Sequence, residues 1–360
     1  MLKRSLLPLL ICSVFACSAS ESIVRVAEPD TQPLATAVPA DVGMDGALLQ
    51  QAVADLPPPG EHGMRSMLVL RHGKLVQEVY WNGYDKDAQQ DIRSATKSIT
   101  ALLLGIAIDR QLIKDVDQPL RNYLAVAYPQ APALRQDITL KHLLTMRSGL
   151  ACDDRDPESP GQEDRMYKER DWVRYFLKLP VAHPPGTATH YCTGGAVVLG
   201  RVLVEASKQP FPTYANDVLF APLGIPGARW QDFDQHRQSD TGGHLALRPR
   251  DLARIGQLVL QQGTWNGRQL VSSAWIQQAT SEHTHIDKNN KSYGYLWWRG
   301  MVPYQGRGVQ LVYAGGNGGQ FIFVVPELDL VVVFTGGNYN SAKAGRPFQL
   351  MSKYILPAVQ

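Results

Sequence analysis

Ser94 and Lys97 stand three residues apart in "DIRSATKSIT", where the apolar stretch "ITALLLGIAIDRQ" begins. Residues at that spacing share a helix face, so Lys97 can reach the Ser94 hydroxyl. An ammonium group there stabilises negative charge, and a neutral amine there takes the hydroxyl proton. Burial lowers a lysine pKa, so both roles are open. A helix start adds backbone N–H groups and positive dipole character where an oxyanion would form. No other S-x-x-K occurs in the chain, although one chance match in 360 residues is unremarkable.

Two further stretches carry usable chemistry. "PPGTATHYCTGGAVVLG" puts Tyr191 in a turn before an apolar helix, where a phenol can shuttle protons towards Ser94. "VYAGGNGGQFIFVVP" puts glycines at a strand end, where bare backbone lets a substrate come close. Alone, each has a plainer reading: a packing tyrosine and a turn.

The elements around these residues follow from periodicity. "DGALLQQAVADL" at 45–56 has helical spacing. "RSMLVL" and "KLVQEVYW", joined at "RHGK", read as a hairpin. The middle of the chain carries helical patterns in "ITLKHLLTMRSGL", "EDRMYKERDWVRYFLKL", "GAVVLGRVLVEAS" and "PRDLARIGQLVLQQG". Short β-branched runs return in "YGYLWW", "VQLVYA", "QFIFVVP" and "LDLVVVFTG", before a last helical stretch near 341–355. Strands at both chain ends most simply pair in one antiparallel sheet, with the helical block inserted between them. "GGNGGQ" lies between strands, which argues against a phosphate-binding loop ahead of a helix.

Composition narrows the function classes. The chain is 44% hydrophobic and 19% charged with a net charge of +3. It lacks a basic stripe interleaved with aromatics, so nucleic-acid binding is not expected. Residues 1–17 read as an export signal: Lys3 and Arg4, then an apolar run to Phe15. Ala16-Cys17 has the form of a lipoprotein cleavage site, with a bulkier Phe15 than that pattern usually has. This makes Cys17 a candidate for lipidation; ordinary cleavage near Ala16 or Ala19 is the alternative. Residues 18–41, rich in Pro and Ala, read as a linker. The expected location is therefore exported and periplasmic, with a lipid anchor in the outer membrane if Cys17 is modified. Cys12 leaves with the signal. Cys152 and Cys192 remain as a disulfide or as two buried thiols. The nine histidines are scattered and lack the spacing of ligands, so no metal is expected.

The order and spacing of S-x-x-K at 94, Y-x-T at 191 and the Gly-rich strand at 313–319 match the three-motif layout of serine β-lactamases and penicillin-binding proteins. The chain resembles the class C β-lactamase-like family, which also holds D,D-peptidases, esterases and 6-aminohexanoate-oligomer hydrolases. "LKHLLTMRSGL", "GGHLALRPRDLARIGQLVLQQG" and "VPELDLVVVFTGGNY" resemble further segments of it. The resemblance implies an α+β fold of the β-lactamase/transpeptidase type. It would span 42–358, as an antiparallel sheet flanked by helices with a mostly helical subdomain inserted at about 112–285.

It also implies Ser94 as nucleophile, with Lys97 and Tyr191 as proton carriers. The N–H groups of Ser94 and Gly316 would form the oxyanion hole, with Asn317 as the fallback. Thr193, Tyr313 and Gly315 would line the substrate side. No cofactor is implied. The "MRSGLA" turn borders the same cleft in that family, which favours a Cys152–Cys192 bridge holding the Tyr191 loop. Two departures stand out. Thr193 replaces the usual Asn of the second motif, and Tyr313 replaces the cation of the third, unless the alignment slips by one residue. Both favour a small-molecule or peptide-like ester or amide substrate over a β-lactam. A β-lactamase, a D,D-carboxypeptidase and a non-catalytic scaffold are the alternatives.

Overall fold

The computed structural model describes residues 32–135, 137–230, 234–286 and 291–360. The signal segment and Cys17 lie outside the described residues. Helix α1 (Gly46–Ala54) is followed by the hairpin β1 (Met64–Arg71) and β2 (Lys74–Tyr80), which turns at His72-Gly73. Next comes helix α2 (Thr96–Asp109), then a largely helical stretch that contains α3 (Thr193–Ser207) and α4 (Pro249–Leu260). The chain returns through β3 (Thr284–Ile286), β4 (Lys291–Tyr293), β5 (Trp298–Tyr304), β6 (Arg307–Gly316), β7 (Gln320–Val325) and β8 (Leu330–Gly336).

These strands form one eight-stranded sheet in the order β2-β1-β8-β7-β6-β5-β4-β3, antiparallel between every pair of neighbours. The two chain ends meet at β1 and β8, with Leu68 opposite Val333 and Val69 opposite Val332. Every residue of β8 is buried, as expected of a strand covered on both faces.

Strand alternation sorts the core into two layers. Leu68, Leu70, Ile322, Val324, Val331 and Val333 pack with α2 and α4. Met67, Val69, Phe323, Val325, Val332 and Phe334 pack with α1 and the C-terminal helical run around Tyr354. Residues 96–107 of α2 are all buried, the signature of an interior helix. Helix α2 lies between the sheet and α3, which places its N-terminus at their junction.

Two expected boundaries shift. The linker reading of 18–41 fails at its end. Leu75 N–H donates to Ala35 O at 2.8 Å and Ala37 N–H donates to Leu75 O at 3.1 Å, so residues 35–37 pair with the free edge of β2. A single bridged residue leaves no periodicity to read. The helical insertion, expected to reach about 285, also gives up α4. A methyl group on Gly256 would stand 2.6 Å from Val331 Cγ1 and 2.8 Å from Ile322 Cγ2, so this helix lies directly on the sheet.

Candidate active site

Ser94 sits in the 3-10 turn Arg93–Ala95, which feeds straight into α2. Arg93, just before it, has φ 52°, a left-handed conformation that a side chain disfavours. Asp91 holds it there. Asp91 Oδ1 accepts from Arg93 N–H at 2.8 Å, and Oδ2 meets His244 Nδ1 at 2.8 Å. Burial opposes the Asp91 charge, but the His244 and Arg93 bonds outweigh it and hold the carboxyl below its usual value.

Lys97 follows one turn later, 1% exposed. Its Nζ lies 3.1 Å from Ser94 Oγ, 2.9 Å from Thr193 Oγ1 and 2.6 Å from Gly242 O. Three acceptors match the three protons of an ammonium. A neutral amine also fits. It donates to Gly242 O and Thr193 Oγ1 and offers its lone pair to a reversed Ser94 hydroxyl. Burial pushes the Lys97 ammonium down. The surrounding negative groups, Tyr191 when ionised, then Glu163, Asp154 and Asp240, overcome that and hold it above its usual value.

The Gly242 carbonyl is itself fixed. Gly242 N–H donates to Asp240 Oδ1 at 3.0 Å, and Tyr167 donates to Asp240 Oδ2 at 2.7 Å. A methyl group on Gly242 would stand 2.6 Å from Thr193 Cγ2, so only glycine lets this loop reach Lys97.

Tyr191 lies beside the pair. Lys97 Nζ is 5.0 Å from its ring centroid. Its outer surroundings are Trp298, stacked at 5.7 Å, and Arg155, with Cζ 5.3 Å from the ring. The following residue, Cys192, is disulfide-bonded to Cys152 with a Cα–Cα distance of 5.5 Å. Asp154 N–H donates to Tyr191 O at 2.8 Å. The bridge and this bond join the Tyr191 loop to the segment after Cys152.

The structure brings Ser94, Lys97, Tyr191, Thr193 and Gly316 together, and rearranges the rest of the expected site. Thr193 does not line a substrate surface. It is fully buried, and its hydroxyl is taken up by Lys97, Asp154 and Glu163. Tyr313 reaches the site through one ring: it stacks on Trp298 at 6.1 Å, and Trp298 stacks on Tyr191 at 5.7 Å. Side chains on a strand alternate; Val312 and Ala314 pack on the α2 side, and Tyr313 packs on the other with Phe321, Phe323 and Phe348. Gly315 likewise faces Phe321, 3.2 Å from where its Cβ would be. Neither Tyr313 nor Ala314 carries a cation, so the third-motif position has none whichever of the two fills it.

Gly316 returns to the nucleophile side. A Cβ there would stand 2.2 Å from Ile92 O and 3.2 Å from Ala95 N, so strand β6 ends against the Ser94 turn. The Asn317 side chain is tied outward, with Nδ2 donating to Asn340 Oδ1 at 2.8 Å and Oδ1 accepting from Asn340 N–H at 3.0 Å.

Sequence reading missed Asp154, Glu163 and Asp240. The one available signal was that Asp154 lies two residues past Cys152, whose bridge to Cys192 carries it towards Thr193. Among the described residues no group of three or more His, Cys, Asp or Glu could hold a metal ion, and no helix is long and apolar enough to cross a membrane. A cavity of about 600 Å3 lined by Asp109, Lys141 and Trp275 opens at the opposite end of α2. At about 1.5 Å per residue it lies roughly 20 Å from Ser94.

Comparison with known proteins gives the family and the fold. The Beta-lactamase family model matches residues 47–351. The 6-aminohexanoate-dimer hydrolase of Paenarthrobacter ureafaciens is 24% identical over 293 residues, covering 74% of this chain and 71% of that protein. Among solved structures, EstCE1, a hydrolase with promiscuous acyltransferase activity, superposes with a TM-score of 0.69 at 16% identity, over 86% of this chain and 96% of that one. A penicillin binding protein from Bacillus halodurans gives 0.64 at 18% identity, over 84% and 99%. With the family model covering most of its length and the same fold in both solved structures, the chain belongs to the beta-lactamase family.

Proposed function

We propose that this protein is a serine hydrolase that cleaves a small ester or amide through an acyl-enzyme on Ser94. The observation that carries this reading is the 3.1 Å contact between Lys97 Nζ and Ser94 Oγ, made at a helix start with Tyr191 alongside.

Ser94 Oγ attacks the substrate carbonyl carbon. The hydroxyl proton passes to the Lys97–Tyr191 pair, and the carbonyl oxygen takes the negative charge. Lys97, held as an ammonium at rest, lowers the cost of a Tyr191 phenolate that accepts this proton. The N–H groups of Ser94 and Gly316 donate to the oxyanion, with that of Asn317 next in line. The C–O or C–N bond then breaks, and the pair returns its proton to the leaving alcohol or amine. Water repeats the sequence on the acyl-enzyme: its proton goes to the pair and then back to Ser94 as the acid departs.

The residues present favour linear esters and amides over β-lactams. Neither Tyr313 nor Ala314 offers a cation for a β-lactam carboxylate, and the buried Thr193 offers no amide. The hydrolase and dimer-hydrolase names of the relatives point the same way. Export to an oxidising compartment accounts for the signal-like N-terminus and suits the disulfide.

Exposure to a fluorophosphonate, a penicillin and a short-chain ester, followed by intact mass measurement, tests the reading. A fluorophosphonate adduct with ester turnover supports it. A persistent penicilloyl adduct indicates a penicillin-binding protein instead, and no adduct with any reagent indicates a scaffold.

A further inference from the structure

Thr193 Oγ1 has more neighbours than one hydroxyl can serve unless a proton is shared. It accepts from Lys97 Nζ at 2.9 Å and lies 2.7 Å from both Asp154 Oδ2 and Glu163 Oε2. A hydroxyl has one proton and two lone pairs. It donates to one carboxylate, so the other meets a lone pair at hydrogen-bond distance. That contact is repulsive between two anions and favourable if the second group is a carboxylic acid donating to Thr193.

We propose that Asp154 and Glu163 share a single proton across the Thr193 hydroxyl, and that this acid–carboxylate pair positions Lys97 in place of the asparagine amide the chain lacks.

The bonding pattern says where the proton resides. Asp154 also accepts from Thr193 N–H at 2.6 Å and from Glu163 N–H at 3.1 Å. Thr193 opens the 15-residue helix α3, whose preceding residue, Cys192, supplies no side-chain cap. Asp154 caps that helix from elsewhere in the chain, and the helix N-terminus favours its negative charge. The contact shown for the Glu163 carboxylate is with the Thr193 hydroxyl. Glu163 therefore donates to Thr193, Thr193 donates to Asp154, and Lys97 donates to Thr193.

The charged neighbours agree. Facing the pair are Lys97 from α2, Tyr191 with its stacked Arg155, Tyr167, and Asp240 and His244 from the loop that carries Gly242. One negative charge on the pair balances the Lys97 ammonium, and a second would sit close to buried Asp240. Burial, with the Glu163 carboxyl beside it, pushes the Asp154 carboxyl up to about 7, so of two carboxyls on one hydroxyl one stays protonated near neutral pH.

Asp154 and Glu163 are positioning residues, and this role rests on Ser94 and Lys97 being the acylating pair. Above the pair's titration the Thr193 hydroxyl faces two anions, and Lys97 is drawn towards them and away from Ser94. Glu163→Gln fixes the one-proton pattern, because its amide N–H donates to Thr193 Oγ1 at every pH. Glu163→Ala removes the donor.

The test uses the full chain in two arms. In the first, ester hydrolysis is followed from pH 5 to 9. Wild-type kcat falls roughly tenfold per pH unit once the pair is deprotonated, while Glu163→Gln stays within about threefold of its pH 7 value. KM changes little in either protein, and Glu163→Ala is slow throughout. In the second, unfolding midpoints are measured in the Ser94→Ala background. The folded pair keeps a proton that the unfolded chain releases, so stability falls as pH rises from about 4 through about 7. Glu163→Gln flattens that fall. Parallel profiles for wild type and Glu163→Gln in both arms overturn the proposal. If wild type never hydrolyses ester at any pH, the hydrolase reading fails, and the stability arm still decides whether the proton is shared.

Discussion

Gly316 lies so close to Ile92 that a methyl group on its Cα would stand 2.2 Å from the Ile92 carbonyl oxygen. The contact is between backbones, so no side chain can rotate away. The end of β6 and the Ser94 turn are in this sense one rigid unit, and the distance between their N–H groups is set by the absence of a Cβ. Gly316→Ala must push the two apart. Overpacking of this kind costs about 1–3 kcal/mol, and an oxyanion donor moved out of place costs roughly 100-fold or more in acylation. Labelling rates with a fluorophosphonate, read beside the melting temperature, check both. A variant that labels at the wild-type rate would place the oxyanion donors elsewhere.

Asp91 and Arg93 make a second prediction. The left-handed Arg93 is held by the Asp91 carboxylate, so Asp91→Ala should loosen the Ser94 turn and slow acylation. Glycine adopts that backbone without strain, so Arg93→Gly in the Asp91→Ala protein should restore part of the rate. The folded Asp91 pKa lies below its unfolded value. Its stabilising contribution is therefore complete above about pH 4 and is lost as pH falls through the folded value. Unfolding midpoints from pH 2 to 6 should show a shallower acid limb in Asp91→Ala. No rescue by glycine would mean that Asp91 acts through His244 alone.

The Cys152–Cys192 bridge closes a loop with a sequence separation of 40. In the chain-entropy model such a loop is worth about 3–4 kcal/mol. Reduction, or a Cys152→Ala/Cys192→Ala pair, should lower the urea midpoint accordingly. Because the bridge holds the Tyr191 loop, activity should fall at denaturant concentrations where helicity is still intact. Simultaneous loss of both would make the bridge a global support and not a local one.

Much of this was legible in the sequence. The β1–β2 hairpin, the pairing of the chain ends and the largely apolar α2 follow from period-2 and helical patterns over several residues. Ser94, Lys97 and Tyr191 were legible from residue type and order. Which of Tyr313 and Ala314 fills the third-motif position was not, because a one-residue slip along β6 exchanges its two sides, and Tyr313-Ala314-Gly315-Gly316 offers no charged residue to fix the register. Asp154 and Glu163 were hidden for another reason. Their contact with Thr193 is made by tertiary packing across 39 and 30 residues of sequence, and no local pattern encodes it.

β-Lactam turnover should be slow beside ester turnover. Neither Tyr313 nor Ala314 carries a cation, and Thr193 is sealed beneath Lys97. Nitrocefin and a p-nitrophenyl ester compared on one preparation test this. Cephalosporin hydrolysis at or above the ester rate would contradict it. In that case Arg155, placed over Tyr191 and Trp298, would be the first cation to examine.

The central claim is that Ser94 becomes acylated. Intact mass measurement of wild type and Ser94→Ala after brief exposure to a fluorophosphonate tests it most directly, with peptide mapping of any adduct. Wild type should gain one adduct on the peptide containing Ser94, and Ser94→Ala should gain none while keeping its fold, since the Ser94 side chain makes no helix-capping bond that would be lost. An adduct of equal yield on Ser94→Ala, or one mapped to another peptide, would contradict the account.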